Sequence, residues 1–208
     1  MKIKNCRICS NKKLSNLFSL GKLNFTGKFT KNLKTSIPKA EVTLVMCSKC
    51  KLVQLNQNFN PNYLYGKDYG YRTGINSTMI NHVKSIVTTL SNKLKFKKGD
   101  AVLDIASNDG TLLNFYNRNI YTVGIDPLIN KFKSQYKSIN AKVPDFFSYK
   151  SLVNKKINKS FKAITALSMF YDLPNPNQFL LDIKKILATD GIFILEQVDL
   201  LSIVKEQL

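Results

Sequence analysis

Two groups of residues in this sequence have the types and spacing that chemistry needs. The first is sulfur. Cys6-x2-Cys9 and Cys47-x2-Cys50 account for all four cysteines of the chain. Two matched CxxC pairs separated by one insertion can present four thiolates tetrahedrally to Zn²⁺ at about 2.3 Å. Disulfides and free core thiols are the competing readings, and free thiols would not be expected in two matched CxxC pairs. Disulfides are disfavoured here because the N-terminus, MKIKNCRICS, lacks the apolar stretch of a secretory signal. Four sulfur ligands would close the coordination sphere, so the expected site is structural and not catalytic.

The second group is carboxylates around a tight turn. AVLDIASNDGTLL, Ala101 to Leu113, reads as a strand carrying Asp104, a turn through Ala106, Ser107, Asn108, Asp109 and Gly110, and a helix start. Strand ends and free N–H groups at such a junction open into the crevice where open α/β sheets bind nucleotide-like ligands. Asp126 ends the next short strand, 22 residues after Asp104, and is placed to hydrogen-bond ribose hydroxyls. A pyrophosphate would need Gly-x-Gly-x-x-Gly for close backbone approach. This turn has glycine only at its end, which suits a cationic ligand without phosphate, such as S-adenosylmethionine. Asp104 and Asp109 would add negative field. Asp145 sits where it could accept from an adenine amino group, with Phe146 stacking on the base. Each acid alone reads equally well as a cap or turn residue; their joint placement at strand ends favours the ligand.

The elements that must position these groups follow from periodicity. Residues 1–60 form a small zinc-binding module, with loops and short strands over Leu17–Ala40 and a strand after Cys50. Residues 61–98 hold a tyrosine-dense segment (Tyr63, Tyr65, Tyr69, Tyr71) and an amphipathic helix over 76–95, with Met79, Val83, Ile86, Val87 and Leu90 on one stripe. The sole histidine, His82, lies off the centre of that stripe and reads as a surface residue; with no base partner nearby in sequence it is not assigned catalysis. From 99 to 208 strands and helices alternate, which predicts a mostly parallel, Rossmann-like α/β sheet. Strands are expected at Val102–Ala106, Tyr121–Asp126, Ala141–Val143, Phe161–Leu167 and Ile192–Glu196. Helices are expected over Thr111–Arg118, from Pro127 to about Lys137, from Pro176 and from Leu200.

At 208 residues the chain can build one good core plus a small module. It has no apolar run long enough to span a membrane, and a cytoplasmic protein is expected. The net charge of +19 invites a nucleic-acid reading. The cations are mainly lysines scattered over the chain, with only Arg7, Arg72 and Arg118 as arginines, so a solvated surface is the better reading.

The order of motifs resembles a known family. LDIASNDGTLL, GIDP, DFF, ITALSMFYDLPNP and DGIFILEQ resemble the class I S-adenosylmethionine-dependent methyltransferases. The paired CxxC motifs, Ser19-Leu20-Gly21, Leu52-Val53-Gln54-Leu55 and Asp68-Tyr69-Gly70-Tyr71 resemble, more narrowly, the sugar C-methyltransferases with an N-terminal zinc module. The resemblance implies methylation of a carbon beside a ketone on a nucleotide-linked deoxysugar, in deoxysugar biosynthesis. It places Ser107, Asn108, Gly110, Asp126, Asp145 and Phe146 at the cofactor. It sets Tyr69 and Tyr71 near the cofactor and reacting centre, Tyr69 as cofactor-binding and Tyr71 as a catalytic candidate, and Ser168 and Met169 on the pocket floor. It also implies a His-Glu-His segment supplying the main base, a further domain and a final antiparallel strand pair, all beyond Leu208; the last strand of this chain is then expected as an exposed sheet edge. Methylation at oxygen or nitrogen of another small molecule, and a zinc-ribbon nucleic-acid-binding protein, are the alternatives.

Overall fold

The computed structural model describes residues 1–25, 30–32, 34–66 and 69–206 of the chain. They form two compact units: Met1–Tyr71 with Pro174–Asn177, and Arg72–Leu173 with Gln178–Leu208.

In the first unit Leu14–Asn24 (β1), Lys39–Cys47 (β2) and Val53–Leu55 (β3) make an antiparallel sheet in the order β1-β2-β3. Loops with short strands were expected over much of β1; it runs instead as one strand of 11 residues. Its register slips between Asn16 and Phe18 and again between Ser19 and Lys22, where Gly21 turns to φ +72°. Bulges of this kind break the two-residue alternation, and an exposed strand has no buried face to reveal it. A short helix, Pro61–Tyr65 (α1), is capped by the Asn60 side chain, which accepts from the Asn62 amide at 3.0 Å.

The second unit opens with Ser77–Leu94 (α2). Its cap, Asn76, accepts from the Thr78 and Met79 amides. Val83, Val87 and Leu90 bury the expected stripe, and Lys95 ends the helix in the left-handed region at φ 45°. Then come Ala101–Ile105 (β4), Tyr121–Ile125 (β5), Ala141–Val143 (β6), Tyr149–Asn154 (α3), Phe161–Leu167 (β7), Pro176–Ile186 (α4), Leu187–Glu196 (β8) and Leu200–Glu206 (α5). The sheet is parallel throughout, in the order β6-β5-β4-β7-β8. The chain lays down β4, β5 and β6 in one direction and then β7 and β8 in the other. The strand order reverses beside β4, and the carboxyl end of that strand is where such sheets bind ligands.

The expected helices over 111–118 and 127–137 are reduced to single 3₁₀ turns at Leu113–Phe115 and Lys133–Gln135. Leu112, Leu113, Leu128, Ile129, Phe132 and Tyr136 are all buried, but by successive turns and not by one helical face. Asn117 turns its side chain to the Asn119 amide, the local bond by which asparagine competes with helix. The turn expected at Asp190-Gly191 lies within β8. There the register jumps from Phe161 opposite Leu187 to Ala163 opposite Ile192, so the extra residues form an irregularity in the strand. β8 pairs only with β7 among the described residues and is an edge of the sheet.

Leu103, Ile105, Val123, Ile125, Val143 and Ile164 form the centre of the core, and Phe179, Ile183 and Ile186 of α4 pack on it. Phe179 meets the rings of Phe147 at 5.1 Å, Phe170 at 5.7 Å and Phe193 at 6.4 Å between centroids. Phe179→Ala removes this hub; urea denaturation is expected to show a loss of about 3–5 kcal/mol.

Candidate functional site

The four cysteines converge. All four Sγ atoms lie within 4.8 Å of one another, with Cys6–Cys50 at 3.5 Å and Cys9–Cys47 at 3.6 Å. A tetrahedron of sulfurs around Zn²⁺ has edges of about 3.8 Å, so the donor set fits zinc. The two knuckles repeat one local design. The Cys6 amide donates to the Asn11 carbonyl and the Ser10 amide to the Cys6 carbonyl; the Cys47 amide donates to Leu52 and the Lys51 amide to Cys47, all at 2.9–3.0 Å. Ser10 at φ 58° and Lys51 at φ 61° make the same left-handed exit. This curl aims backbone N–H groups at sulfur. Burial raises Cys6, but the Cys9 and Ile8 amides, with the Gln54 side chain and the Cys50 sulfur, together hold the thiol below its ordinary range. The Cys50 amide, against burial, and the Asn11 side chain bring Cys47 down to about 6. Against the Leu52 amide, burial and the other three sulfurs push Cys50 up to about 12. Four crowded sulfurs cannot all ionise alone; a divalent cation among them removes the conflict. Arg7, inside the first knuckle, ties it to the β3 end of the sheet by donating to the carbonyls of Leu55 at 2.7 Å and Gln57 at 2.9 Å.

The second site is the turn after β4. Ala106 at φ 57°, Asn108 at φ 50° and Gly110 at φ 78° alternate with ordinary residues. Left-handed geometry at a non-glycine residue costs of order 1 kcal/mol or more and persists where surroundings enforce it. Here the surroundings are specific. The Ala106 amide donates to the Ile125 carbonyl at 2.9 Å, and the Asn108 amide to Asp126 Oδ2 at 3.0 Å. Tyr136, fully buried, donates its hydroxyl to the Asn108 carbonyl at 2.8 Å and meets Ser107 Oγ at 2.8 Å. At Gly110 a Cβ would lie 2.7 Å from Ile139 and 3.2 Å from the Tyr136 ring, so both φ and space exclude a side chain.

Asp126 accepts a second backbone bond, from Leu128 at 2.6 Å, through its other oxygen. Burial pushes this carboxyl up to about 6, the two amides opposing and Asp109 adding. Asp104 lies within the sheet and accepts from Thr165 Oγ1 at 2.6 Å; burial pushes it up to about 7, with Asp126 adding. Asp109 is engaged by protein groups. Its Oδ2 accepts from the Gly74 amide at 3.0 Å and from Arg72 Nε at 3.4 Å, and its Oδ1 from the Thr111 hydroxyl at 2.6 Å. Asn108 Oδ1 likewise accepts from the Thr73 amide at 3.0 Å. The two turn side chains therefore strap down Arg72–Gly74, and a Cβ on Gly74 would lie 2.8 Å from Asp109 Oδ2.

Among the other expected site residues, Ala106 and Ser168 are exposed beyond the carboxyl ends of β4 and β7, and Met169 is half-buried beside the core. Asp145 is exposed after β6 and accepts from the Phe146 amide at 2.8 Å; Phe146 is half-buried. Tyr65, Tyr69 and Tyr71 form a chain of rings 5.4 and 6.4 Å apart in the first unit. Asp68 of the same motif lies outside the described residues. Sequence reasoning missed Tyr136, Arg72, Gly74 and Glu196. Tyr136 carried a signal only as an apolar position, and the others are brought in from distant parts of the chain. His82 is exposed, as expected of a surface residue, and its ring pairs with Glu196, 114 positions away.

Metal analysis should find about one zinc per chain, and Cys47→Ser should lose it; a zinc-free folded wild type contradicts the site. Asp104 and Asp126 give stability a pH slope. A carboxyl held above its ordinary range binds its proton more tightly in the folded chain. Its stabilising contribution is full below about pH 4 and lost as pH rises through about 6 for Asp126 and about 7 for Asp104. Asp104→Asn should flatten the fall of the thermal midpoint between about pH 5 and pH 8. An unchanged slope would count against a protonated Asp104.

Residues 6–65 match the family described as "Putative zinc binding domain", and residues 68–207 match the family described as "Methyltransferase domain". The C-methyltransferase NovU of Streptomyces niveus is 23% identical over 212 residues, which cover 98% of this chain and 49% of the relative. The chain thus spans about half the length of the curated relative it matches. Among solved structures, the plantazolicin methyltransferase BpumL in complex with a pentazolic desmethylPZN analog and SAH superposes with a TM-score of 0.46 at 17% identity, over 60% of this chain and 48% of that one. An S-adenosylmethionine-dependent methyltransferase from Clostridium acetobutylicum gives 0.44 at 16% identity, over 56% and 49%. At that level of similarity neither carries chemistry over to this chain. The match over 68–207, on a parallel sheet with its strained turn at the reversal point, settles the family: the chain belongs to the methyltransferase-domain family, a class I S-adenosylmethionine-dependent fold preceded here by a zinc module.

Proposed function

We propose that this chain is the zinc and cofactor-binding part of an S-adenosylmethionine-dependent C-methyltransferase whose acceptor is a nucleotide-linked keto-deoxysugar. The observation that supports it most is the likeness to a C-methyltransferase along 98% of the chain, zinc module and methyltransferase domain together.

The site residues take roles consistent with that reading. Each Asp126 oxygen accepts one backbone N–H and keeps a lone pair for a ribose hydroxyl. Ala106, Ser107, Asn108 and Gly110 offer backbone groups to the amino-acid end, while Asp109 adds negative field behind them and Asp104 does so once it loses its proton, at about pH 7. Asp145 and Phe146 serve the adenine, Ser168 and Met169 floor the pocket, Tyr69 serves the cofactor, and Tyr71 is the catalytic candidate. The bound cofactor supplies an electrophilic methyl group on a sulfonium. The protein's part is to fix that methyl in line with the acceptor carbon and to exclude water.

Titration calorimetry of the zinc-loaded chain with S-adenosylhomocysteine tests the cofactor half of the reading. We expect one site per chain, weakened about tenfold or more by Asp126→Ala. Affinity should also fall as pH drops through about 6, where Asp126 gains a proton. A folded protein that gives no binding heat contradicts the reading. Transfer of labelled methyl to a nucleotide-linked keto-deoxysugar, absent with the non-keto sugar, tests the acceptor half.

A further inference from the structure

Two of the four sulfurs are out of reach of solvent. Cys6 and Cys47 are buried, whereas Cys9 is half-buried and Cys50 exposed. Water can hydrate a thiolate at Cys9 or Cys50; one at Cys6 or Cys47 needs donors from the protein. At Cys47 a side-chain donor is in place, with Asn11 Nδ2 3.5 Å from the sulfur. Asn11 belongs to the first knuckle and serves a cysteine of the second. Gln54, just past the second knuckle, stands in the reverse relation to the first. Its Oε1 accepts from the Arg7 amide at 3.1 Å, so its carboxamide lies against the Cys6–Arg7 step. Its Nε2 is buried and lacks a hydrogen-bond partner, a costly state for a donor. The Gln54 side chain also lowers the Cys6 thiol, as a donor turned toward sulfur does.

Arg7 poses the same question in charge. Its Nε and Nη2 donate to Asn58 Oδ1 at 3.1 and 2.6 Å, its Nη1 to Gln54 Oε1 at 3.2 Å and the Leu55 carbonyl at 2.7 Å, and its Nη2 also to the Gln57 carbonyl at 2.9 Å. All five guanidinium N–H groups are used, and every acceptor is neutral. Among the described residues no carboxylate pairs with Arg7, and Glu41 is the only acid of the first unit. A half-buried cation without a counter-charge is unfavourable. Four thiolates around Zn²⁺ leave two net negative charges, and the first of those sulfurs is the neighbour of Arg7 in sequence.

We propose that Arg7 and Gln54 form the outer layer of the zinc centre. Gln54 Nε2 donates to the Cys6 thiolate, and the Arg7 guanidinium holds Gln54 in place and balances part of the charge of the four sulfurs. The inference rests on the zinc reading. Both are positioning residues that act through sulfur. A clamp between knuckle and sheet would need only the Arg7 bonds to Leu55 and Gln57; it gives no reason for a buried, unpaired Nε2 or for a cation among neutral groups.

The full chain is loaded with Zn²⁺ and titrated with a competing chelator, then loaded with Co²⁺ to read the sulfur-to-metal charge-transfer band. Gln54→Glu keeps the oxygen that Arg7 holds, adds a charge to that pair, and puts an acceptor where the donor stood. It should weaken zinc about 10–100-fold and move the band to longer wavelength, because the sulfur lone pairs lose the group that stabilises them. Gln54→Met, which adds no charge, should move the band in the same direction by less. Arg7→Lys should displace the band less than Arg7→Met; where Arg7→Met gives no folded chain, the Gln54 variants decide. An unmoved band in both Gln54 variants overturns the proposal, because a clamp can weaken zinc through the fold but leaves the sulfurs' electrons as they were. Gln54→Glu that holds zinc as tightly as the wild type overturns it too. A folded wild type that takes up neither metal overturns the zinc reading and the proposal with it.

Discussion

The site after β4 depends on one buried contact, the Asp126 carboxylate accepting the Asn108 amide at 3.0 Å. That bond joins the end of β5 to the turn and holds Asn108 in its left-handed backbone conformation. With Asn108 fixed, its carbonyl meets the Tyr136 hydroxyl and its side chain meets the Thr73 amide. The turn is thus supported from below by a buried phenol and from the side by the segment that leads into α2. Removing any one support would leave a buried polar group without its partner, which costs more than the bond itself contributes.

The same logic gives the turn's acids two kinds of task. Asp109 and Asn108 hold Arg72–Gly74, whereas Asp126 holds the backbone of Asn108 and Leu128. A carboxylate held by two backbone amides is fixed in orientation by them. The strain at Ala106 and Ser168 lies at the ends of β4 and β7, the two strands on either side of the reversal in strand order. Strain of that sort persists only where the surrounding structure enforces it.

What was legible in the sequence follows from locality. The CxxC pairs and the strand–turn–helix junction declare themselves because their chemistry is written within a few residues. The buried strands were legible because parallel strands covered on both faces read as apolar runs. The region from 111 to 137 misled because Leu112, Leu113, Leu128, Ile129 and Phe132 are spaced for a helix, yet each is buried by its own turn. β1 misled because its bulges scramble the alternation. The contacts of Tyr136 and Glu196 could not be read from the sequence. Their partners lie 28 and 114 positions away, and only the closed sheet brings them within reach.

The zinc module has a consequence in chain statistics. Each knuckle closes on itself within a few residues, whereas Cys9 and Cys47 are 38 positions apart and carry the whole β1–β2 hairpin between them. A metal held by both knuckles is therefore a crosslink around a long loop, and in the unfolded chain such a crosslink removes conformational freedom equivalent to about 4 kcal/mol. The cost of closing a loop grows only with the logarithm of its length, about 0.6 kcal/mol for each doubling. The hairpin is then the part of the module where insertions are tolerated most readily, while the two five-residue curls around the sulfurs admit almost none.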